Sequence, residues 1–292
     1  MPNHPVFTDL LLYSDDELER LLGARPAERR VIQAWPLSCV EEVRLADGRR
    51  LVYKAQLPPS VEPEFYAAAD SVLLPAHRDL GRLGRVRMMA LDWIAAPLLS
   101  QTEHDADGLV AHARKVIALI GEIGGEPPSY LDVGSPGAWS EAVDRLLGRW
   151  SGLLARGRLA GTGPDDLDHV RAWAASAPVQ ALLEEGSRLA HGDLKADQIF
   201  VTPDGYRLID WQRPILAPPE VDLVSLLVAA GIDPHPFVDS TTVAVHWLLR
   251  LNWAVEAQSE LFPDQVLPLL GAWAHEAVGH IRDISASPGR PR

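Results

Sequence analysis

Residues 191–198 read HGDLKADQ, and residues 208–211 read LIDW. Together they supply Asp193, an amide five residues later (Gln198) and a second aspartate seventeen residues after the first (Asp210). Apolar residues alternate with these polar ones, which indicates a loop followed by a pair of strands. We therefore expect the backbone to be anchored by the apolar side chains, with the polar ones pointing into a cleft.

These three side chains match the needs of a magnesium-dependent phosphoryl transfer. Asp193 is suited to orient an attacking hydroxyl and accept its proton, while the Gln198 amide oxygen and the Asp210 carboxylate are suited to hold the metal. Hard oxygen atoms are the ligands that Mg²⁺ prefers. The spacing therefore predicts nucleotide-dependent chemistry with ATP and Mg²⁺.

Composition limits the remaining possibilities. The chain has 292 residues and 47% hydrophobic content, enough for a large core in one or two domains. It contains no apolar run near the roughly 20 residues of a membrane span, and its first residues lack a signal-peptide pattern. A single cysteine, Cys39, excludes an internal disulfide. We expect a cytoplasmic monomer or homodimer without a membrane partner.

The charge of the chain is unevenly distributed. The net charge of −13 disfavours nucleic acid as a partner. Residues 1–95 carry 14 acidic and 12 basic side chains, whereas residues 96–292 carry 26 and 15. This asymmetry favours a cationic small-molecule acceptor for the second region. The alternative is that the acidic surface only keeps the protein soluble.

Lysine is nearly absent, with 3 lysines against 24 arginines. Two of the three are Lys195, in HGDLKADQ, and Lys54, in VYK at 52–54. A compact ammonium on a flexible stem is not equivalent to a planar guanidinium when it donates to phosphate oxygens. The two lysines are therefore candidates for phosphate contacts.

Periodicity divides the chain into a β-rich and a helical part. In the first part, one predicted helix at 15–22 is capped by Ser14 and another at 61–73 is capped by Ser60. The four predicted strands are 30–34, 40–45, 50–56 and 85–91. A turn at residues 46–48 joins two of the strands. The second part has helical patterns at 111–123, 139–154, 166–174, 179–185, 220–230, 241–261 and 265–281.

We therefore predict an α+β fold with two lobes. Residues 1–94 form a small β-rich N-terminal lobe with one key helix, and residues 95–292 form a larger, mainly helical C-terminal lobe. The polar residues of the second lobe are expected to face a cleft between the two.

Several segments together resemble one family. They are HGDL at 191–194, IDW at 209–211, VDL at 221–223, VYK at 52–54, EPEFY at 62–66 and LDW at 91–93. This pattern resembles the aminoglycoside phosphotransferase (APH) and choline-kinase-like family, which has a protein-kinase-like fold. The resemblance covers most of the chain, and the segment around Asp193 is its most specific part.

The resemblance implies a role for each matched residue. Asp193 is the implied catalytic base, and Gln198 and Asp210 are the implied metal ligands. Lys54 is implied to contact the α- and β-phosphates and to be ordered by Glu64, with Glu62 as the rival partner. The remaining implied role is that of Asp222, a buried carboxylate that braces the catalytic loop.

The sequence departs from the family pattern at several positions. Gln198 stands where asparagine is usual, which leaves open a purely structural amide. Lys195 replaces the usual histidine and is placed to reach the γ-phosphate. The expected phosphate loop at residues 35–39 contains no glycine, so Ser38 and nearby backbone N–H groups are its substitute. The hinge residues expected to contact adenine are Leu91, Asp92, Trp93 and Ile94.

These observations predict an ATP-dependent small-molecule O-phosphotransferase, with GTP as an alternative donor. The favoured acceptor is a hydroxyl of an aminoglycoside-like or other antibiotic, as for a resistance enzyme. Metabolite acceptors remain open, namely sugars, choline-like amines, homoserine and macrolides. A second alternative is a degenerate, nucleotide-binding pseudokinase module.

Overall fold

A computed structural model describes Phe7 and residues 9–102, 105–262 and 267–286, except the side chains of Glu260 and Leu267. Contacts divide the chain into two units. The first comprises Met1–Glu103, Glu122–Tyr130 and Ala196–Pro214, and the second comprises His104–Gly121, Leu131–Lys195 and Ile215–Arg292. The first unit thus includes two segments from beyond the predicted first lobe. A lobe boundary after residue 94 stays a prediction.

The first unit contains a five-stranded antiparallel sheet. Its strands are β1 (Pro26–Trp35), β2 (Ser38–Leu45), β3 (Arg50–Gln56), β5 (His77–Leu83) and β6 (Val86–Asp92), in the order β1-β2-β3-β6-β5. The four predicted strands are confirmed, and β5 adds to them. The predicted turn is also confirmed, since the Gly48 N–H donates to the Leu45 carbonyl at 3.0 Å.

Helix α1 (Asp15–Leu22) packs on this sheet and matches its prediction. Ser14 caps it and forms a reciprocal capping box with Glu17. Leu18 and Leu22 belong to the core of this unit, together with apolar residues from the strands. Burial of one apolar helix face against the sheet holds this half of the unit together.

Helix α2 (Glu62–Ala68) is shorter than the predicted segment 61–73. It ends where the chain passes into strand β4 (Ala69–Asp70), which pairs with strand β7 (Gly124–Gly125). The prediction of Ser60 as its cap is wrong, because the N-cap is Val61. Ser60 lies one residue before the cap, where its hydroxyl accepts a 3.4 Å hydrogen bond from the Glu62 N–H and donates to the side-chain carbonyl of Gln56.

A β-hairpin connects the two quoted segments, HGDLKADQ and LIDW. Strands β10 (Ile199–Thr202) and β11 (Gly205–Leu208) are antiparallel, with Ile199 opposite Leu208. A 3-10 turn at Ala196–Gln198 precedes β10. Gln198 and the residues after Leu208 therefore lie at the same end of the hairpin, and the predicted strand pair is confirmed.

The second unit is mainly helical. Its helices are α3 (Ala106–Ile120), α4 (Pro136–Ala155), α5 (Pro164–Ala174), α6 (Ala177–Glu184), α7 (Val221–Ala229), α8 (Ser240–Glu256) and α9 (Leu267–Ala286). A π-helical turn at Ala257–Leu261 continues α8. The predicted helices are confirmed with shifted ends, while the predicted start of the last one, Gln265, lies outside the described residues.

A small sheet and buried tryptophans complete the second unit. Strands β8 (Leu131–Asp132), β9 (Arg188–Ala190) and β12 (Ile215–Ala217) form it in the order β8-β12-β9. Trp139 of α4 is buried, and its indole N–H donates to the Ala174 carbonyl at 2.9 Å. Among the described residues, no helix is long and apolar enough to cross a membrane. The predicted α+β class is confirmed.

Candidate active site

A buried ion pair joins β3 to α2. The Lys54 ammonium lies 2.7 Å from each carboxylate oxygen of Glu62, and both side chains are almost completely buried. The prediction that Glu64 orders Lys54 is wrong, because Glu64 pairs with Arg87 at 2.5 Å. Two positions along a helix correspond to a rotation of about 200°. Glu64 therefore faces away from the side on which Glu62 meets Lys54.

Lys54 also contacts the aspartate of the LIDW segment. Its ammonium is 3.3 Å from Oδ1 of Asp210, and the Gln198 amide nitrogen is 3.3 Å from Oδ2. The structure thus brings together three of the predicted site residues, Lys54, Gln198 and Asp210. Asp210 has a φ of 75°, in the left-handed region that residues other than glycine seldom adopt. Such a conformation persists only where the surrounding structure enforces it.

Helix α2 supplies that enforcement. The Trp211 ring is fully buried and stacks on Phe65 with 4.3 Å between ring centroids and 11° between planes. One residue further on, the Gln212 carbonyl accepts a 3.0 Å hydrogen bond from the Val61 N–H. The helix that carries Glu62 therefore also fixes the backbone that carries Asp210.

The charges of this cluster determine the protonation of its lysine. Burial lowers the pKa of Lys54, but the carboxylates of Glu62 and Asp210 outweigh it, so the pKa lies above the ordinary lysine value. Burial also raises the pKa of Glu62, against the opposing effect of Lys54. Lys54 is therefore a cation at neutral pH and faces Asp210.

Gln198 and Asp210 have the donor chemistry of a magnesium site. Mg²⁺ is bound in proteins through one or two carboxylates, with waters and substrate phosphates completing its shell. The Asp210 side chain is 33% exposed, which leaves it accessible, whereas Gln198 is buried. The Gln198 amide carries an oxygen acceptor beside the nitrogen that faces Asp210. These residues fit the ion, and metal ligation by Gln198 stays a prediction.

The HGDL segment at residues 191–194 belongs to the second unit and follows β9. The buried Asp222 carboxylate, in the first turn of α7, accepts hydrogen bonds from the backbone N–H groups of His191 at 2.7 Å and Gly192 at 2.9 Å. Gly192 has a φ of 83°, which favours glycine at this position. The bracing role implied for Asp222 is confirmed. Burial raises its pKa above the ordinary aspartate value.

Asp193 and Lys195 form a partly exposed pair two residues apart. The Lys195 ammonium lies 2.9 Å from an Asp193 carboxylate oxygen, and each side chain is 41% exposed. Leu194 between them is fully buried and anchors the segment. An ion pair at this exposure adds little stability. Both groups thus remain accessible, and their assignment as base and phosphate contact stays a prediction.

The other predicted nucleotide contacts lie at strand ends of the first unit. Ser38 is buried at the start of β2, directly after the two-residue turn 36–37. The hinge residues Leu91 and Asp92 end β6, and Trp93 and Ile94 follow. Strands β2 and β6 pair with β3, the strand that carries Lys54, on its two sides.

The Trp93 ring is in contact with the guanidinium group of Arg50. The guanidinium carbon of Arg50 lies 3.4 Å from the Trp93 ring centroid, and the Trp93 N–H donates to the Arg50 carbonyl at 3.2 Å. One ring face and the backbone donor of Trp93 are therefore occupied within the protein. A contact between Trp93 and a nucleotide base stays a prediction.

Sequence reasoning missed Gln56. Its amide nitrogen lies 2.5 Å from a carboxylate oxygen of Glu62, so it is a second donor to the partner of Lys54. Alternate residues of a strand share a face, which places Gln56 on the same side of β3 as Lys54. Two polar residues at alternate positions of the otherwise mostly apolar strand RLVYKAQ were the available signal.

Comparison with known proteins identifies the family. A family model described as the phosphotransferase enzyme family (APH) matches residues 34–250. The chain belongs to this family and is an enzyme that transfers phosphate to a hydroxyl acceptor of a small molecule. No curated protein matches the sequence.

Solved structures share the fold over nearly the whole chain. A choline/ethanolamine kinase family protein from Mesorhizobium loti aligns with a TM-score of 0.65 at 15% identity, covering 94% of this chain and 95% of that chain. A thermostable mutant of the aminoglycoside phosphotransferase APH(4)-Ia, in its apo form, gives 0.62 at 13% identity, with 94% and 100% covered. Spectinomycin phosphotransferase APH(9)-Ia, in complex with ADP and spectinomycin, gives 0.51 at 15% identity, with 94% and 98% covered. The predicted protein-kinase-like fold is confirmed.

Proposed function

We propose that this enzyme transfers the γ-phosphoryl group of ATP to a hydroxyl of a small molecule. The cluster of Lys54, Glu62, Asp210 and Gln198 is the observation that carries the proposal. It combines a buried cation, fixed by one carboxylate, with a second carboxylate that remains one-third exposed. Such a pairing suits a nucleotide whose phosphates meet an ammonium on one side and a metal on the other.

Each residue of the cluster has a distinct role in this proposal. Lys54 donates hydrogen bonds to the α- and β-phosphate oxygens, and Glu62 fixes the position of its ammonium. Gln198 and Asp210 hold Mg²⁺, which neutralises phosphate charge when it is bound. Leu91–Ile94 and Ser38 are proposed to contact the adenine and the phosphates, respectively.

Asp193 acts on the acceptor. Its partly exposed carboxylate accepts a hydrogen bond from the acceptor hydroxyl and aims the oxygen at the γ-phosphorus. It takes the proton as the new O–P bond forms and the bond from the γ-phosphorus to the β,γ-bridging oxygen breaks, which releases ADP. Lys195 donates to the oxygens of the phosphoryl group in transfer. Asp222 contributes indirectly, since its two backbone hydrogen bonds fix the loop before Asp193.

We propose a hydroxylated, cationic antibiotic as the acceptor. The excess of acidic residues after position 95 supports this choice, because it attracts cations to that part of the chain. The ligand of the spectinomycin phosphotransferase neighbour agrees with this class. The choline/ethanolamine kinase family neighbour equally supports an amine metabolite. GTP is the alternative donor.

An acceptor panel analysed by mass spectrometry tests this function. We expect a gain of one phosphoryl group on a cationic acceptor, dependent on both ATP and Mg²⁺. Phosphorylation of neutral acceptors alone would refute the antibiotic proposal and keep the kinase. An absence of any turnover together with retained nucleotide binding would favour the pseudokinase alternative.

Replacement of the proposed base provides the matching residue test. In Asp193→Asn we expect kcat to fall by about 10²- to 10⁴-fold, the usual contribution of general base catalysis. ADP binding should remain unchanged, because Asp193 contacts the acceptor. Asp197→Asn is the control, since Asp197 is an exposed carboxylate of the same segment. Equal activity of the two variants would exclude Asp193 as the base.

A further inference from the structure

The β3–α2 connection contains a buried polar chain around Glu62. Gln56, the last residue of β3, is only 1% exposed. Its amide nitrogen donates to Oε2 of Glu62 at 2.5 Å, and its amide oxygen accepts from the Ser60 hydroxyl. The Ser60 hydroxyl in turn accepts a 3.4 Å hydrogen bond from the Glu62 N–H. Strand, loop and helix are thus joined through three side chains.

The direction of this chain follows from hydrogen-bond chemistry. An ionised carboxylate only accepts hydrogen bonds, so the nitrogen of the Gln56 amide must face Glu62. The amide oxygen then points to the opposite side, where the Ser60 hydroxyl is a donor. The amide is therefore oriented from both of its ends.

The burial of Glu62 explains why a second donor is required. Its carboxylate is completely buried, and a buried charge is tolerated only when it is both paired and hydrogen-bonded. Lys54 supplies the opposite charge to both oxygens, yet Lys54 also faces Asp210. Gln56 supplies a neutral donor whose only carboxylate partner is Glu62 among the described side chains.

We infer that Gln56 is a positioning residue for the phosphate contact: it fixes the Glu62 carboxylate, which in turn fixes the Lys54 ammonium. This inference rests on the proposed function, in which Lys54 binds the α- and β-phosphates. Gln56 itself touches neither nucleotide nor acceptor in this scheme. Its effect is therefore confined to ligands that carry those phosphates.

Binding of ADP and of adenosine, measured by calorimetry with Mg²⁺ present, separates positioning from general damage. We expect Gln56→Leu to weaken ADP binding about 10-fold, the effect of losing one hydrogen bond to a charged group. Gln56→Glu should weaken it about 100-fold or more, because two buried carboxylates then face each other. Adenosine has no phosphates, so its affinity should change less than about twofold in either variant.

Two further variants sharpen the test. Ser60→Ala releases the amide orientation but keeps the donor, so its loss of ADP affinity should be smaller than that of Gln56→Leu. Gln33→Leu makes the same substitution at an exposed glutamine of β1 and should match the wild type. In turnover, Gln56→Leu should raise the KM for ATP and leave the KM for the acceptor unchanged.

The possible results point in different directions. Equal losses of ADP and adenosine affinity in Gln56→Leu would overturn the inference, since the variant would then be generally damaged. Wild-type ADP affinity in Gln56→Leu would also overturn it while leaving the proposed function intact. A wild-type protein that neither binds ADP nor turns over ATP would overturn the proposed function and the inference with it.

Discussion

At the scale of single residues, one helical position decides which carboxylate serves Lys54. Glu62 and Glu64 are both acidic residues of the first turn of α2, and both are compatible with the sequence pattern. The helix begins at Glu62 and turns this residue inward, where it is fully buried, while Glu64 reaches Arg87. The choice depends on the rotational setting of a helix seven residues long, which side-chain chemistry alone does not encode.

Glutamine replacements at these two positions should lower kcat/KM for ATP to very different extents. Glu62→Gln removes the charge opposite Lys54, so we expect kcat/KM for ATP to fall by about 10²-fold, as when one partner of a buried pair is removed. Glu64→Gln breaks a partly exposed pair and should change kcat/KM by less than about threefold. Steady-state kinetics at saturating acceptor provide the comparison. A larger loss in Glu64→Gln than in Glu62→Gln would refute this assignment.

Other parts of the candidate site follow directly from spacing. The 3.3 Å contact between Gln198 and Asp210 reflects the alternating pattern, because a hairpin with equal arms returns the chain to its starting end. The bracing of the loop by Asp222 also agrees with its expectation. Gln56 escaped prediction because its partner, Glu62, is defined only when α2 and β3 pack together.

At the scale of elements, the sequence predicted the helices that have a periodic apolar face and missed the edge strand β5. Helices α3 and α4 bury a regular apolar face, so their sequences reveal them. Strand β5 reads HRDLGRL and buries only Leu80, because it lies at an edge of the sheet. Charged residues are common on such edges, where they prevent further strand pairing. Propensity therefore gave no strand signal there.

The early end of α2 has an equally local cause. The predicted helix continued to residue 73, but the chain leaves α2 after Ala68 to pair β4 with β7. This pairing brings Gly125 against the last turn of the helix: a Cβ placed on Gly125 would lie 2.0 Å from the Ala68 carbonyl oxygen. Gly125 also has a φ of 82°. Two adjacent glycines thus fasten the end of the helix that carries Glu62.

Alanine substitutions at the two glycines test this attachment. We expect Gly125→Ala to destabilise the protein by at least about 2 kcal/mol, because it combines a left-handed backbone with a backbone clash. Gly124→Ala is the matched control, since its Cβ would meet the Asp70 carbonyl at an ordinary 3.5 Å. The free energy of unfolding in urea measures both. Equal stabilities of the two variants would show that the backbone around Gly125 accommodates a Cβ at little cost.

At the scale of the whole molecule, stability depends on a few buried ionisable groups more than on the net charge of −13. A group cancels in the free energy of unfolding only where its pKa is the same in the folded and the unfolded chain. Buried groups do not cancel. His246 of α8 is 6% exposed, and its Nε2 atom has no hydrogen-bond partner among the described residues. It is therefore a group whose titration should contribute to the response to mild acid.

The sign of that response follows from the pKa of His246. Burial, followed by the charges of Arg250 and His280, lowers the pKa of this imidazole from 6.5 to about 3. Below pH 6.5 the unfolded chain binds a proton at this position that the folded chain refuses. The stability contributed by the neutral ring is therefore complete above pH 6.5 and is lost as the pH falls toward 3. The loss reaches about 5 kcal/mol at most, at roughly 1.4 kcal/mol per pH unit.

Removal of this histidine should make the free energy of unfolding depend less on pH in the acid range. We expect His246→Leu to lose less free energy of unfolding than the wild type between pH 7 and pH 4, because leucine takes up no proton in the unfolded chain. Urea unfolding at a series of pH values measures the difference. His235→Leu, the same substitution at an exposed position before α8, is the control. If the His246→Leu curve ran parallel to the wild type, the acid sensitivity would have to come from other buried groups, and the neutral buried state assigned to His246 would be wrong.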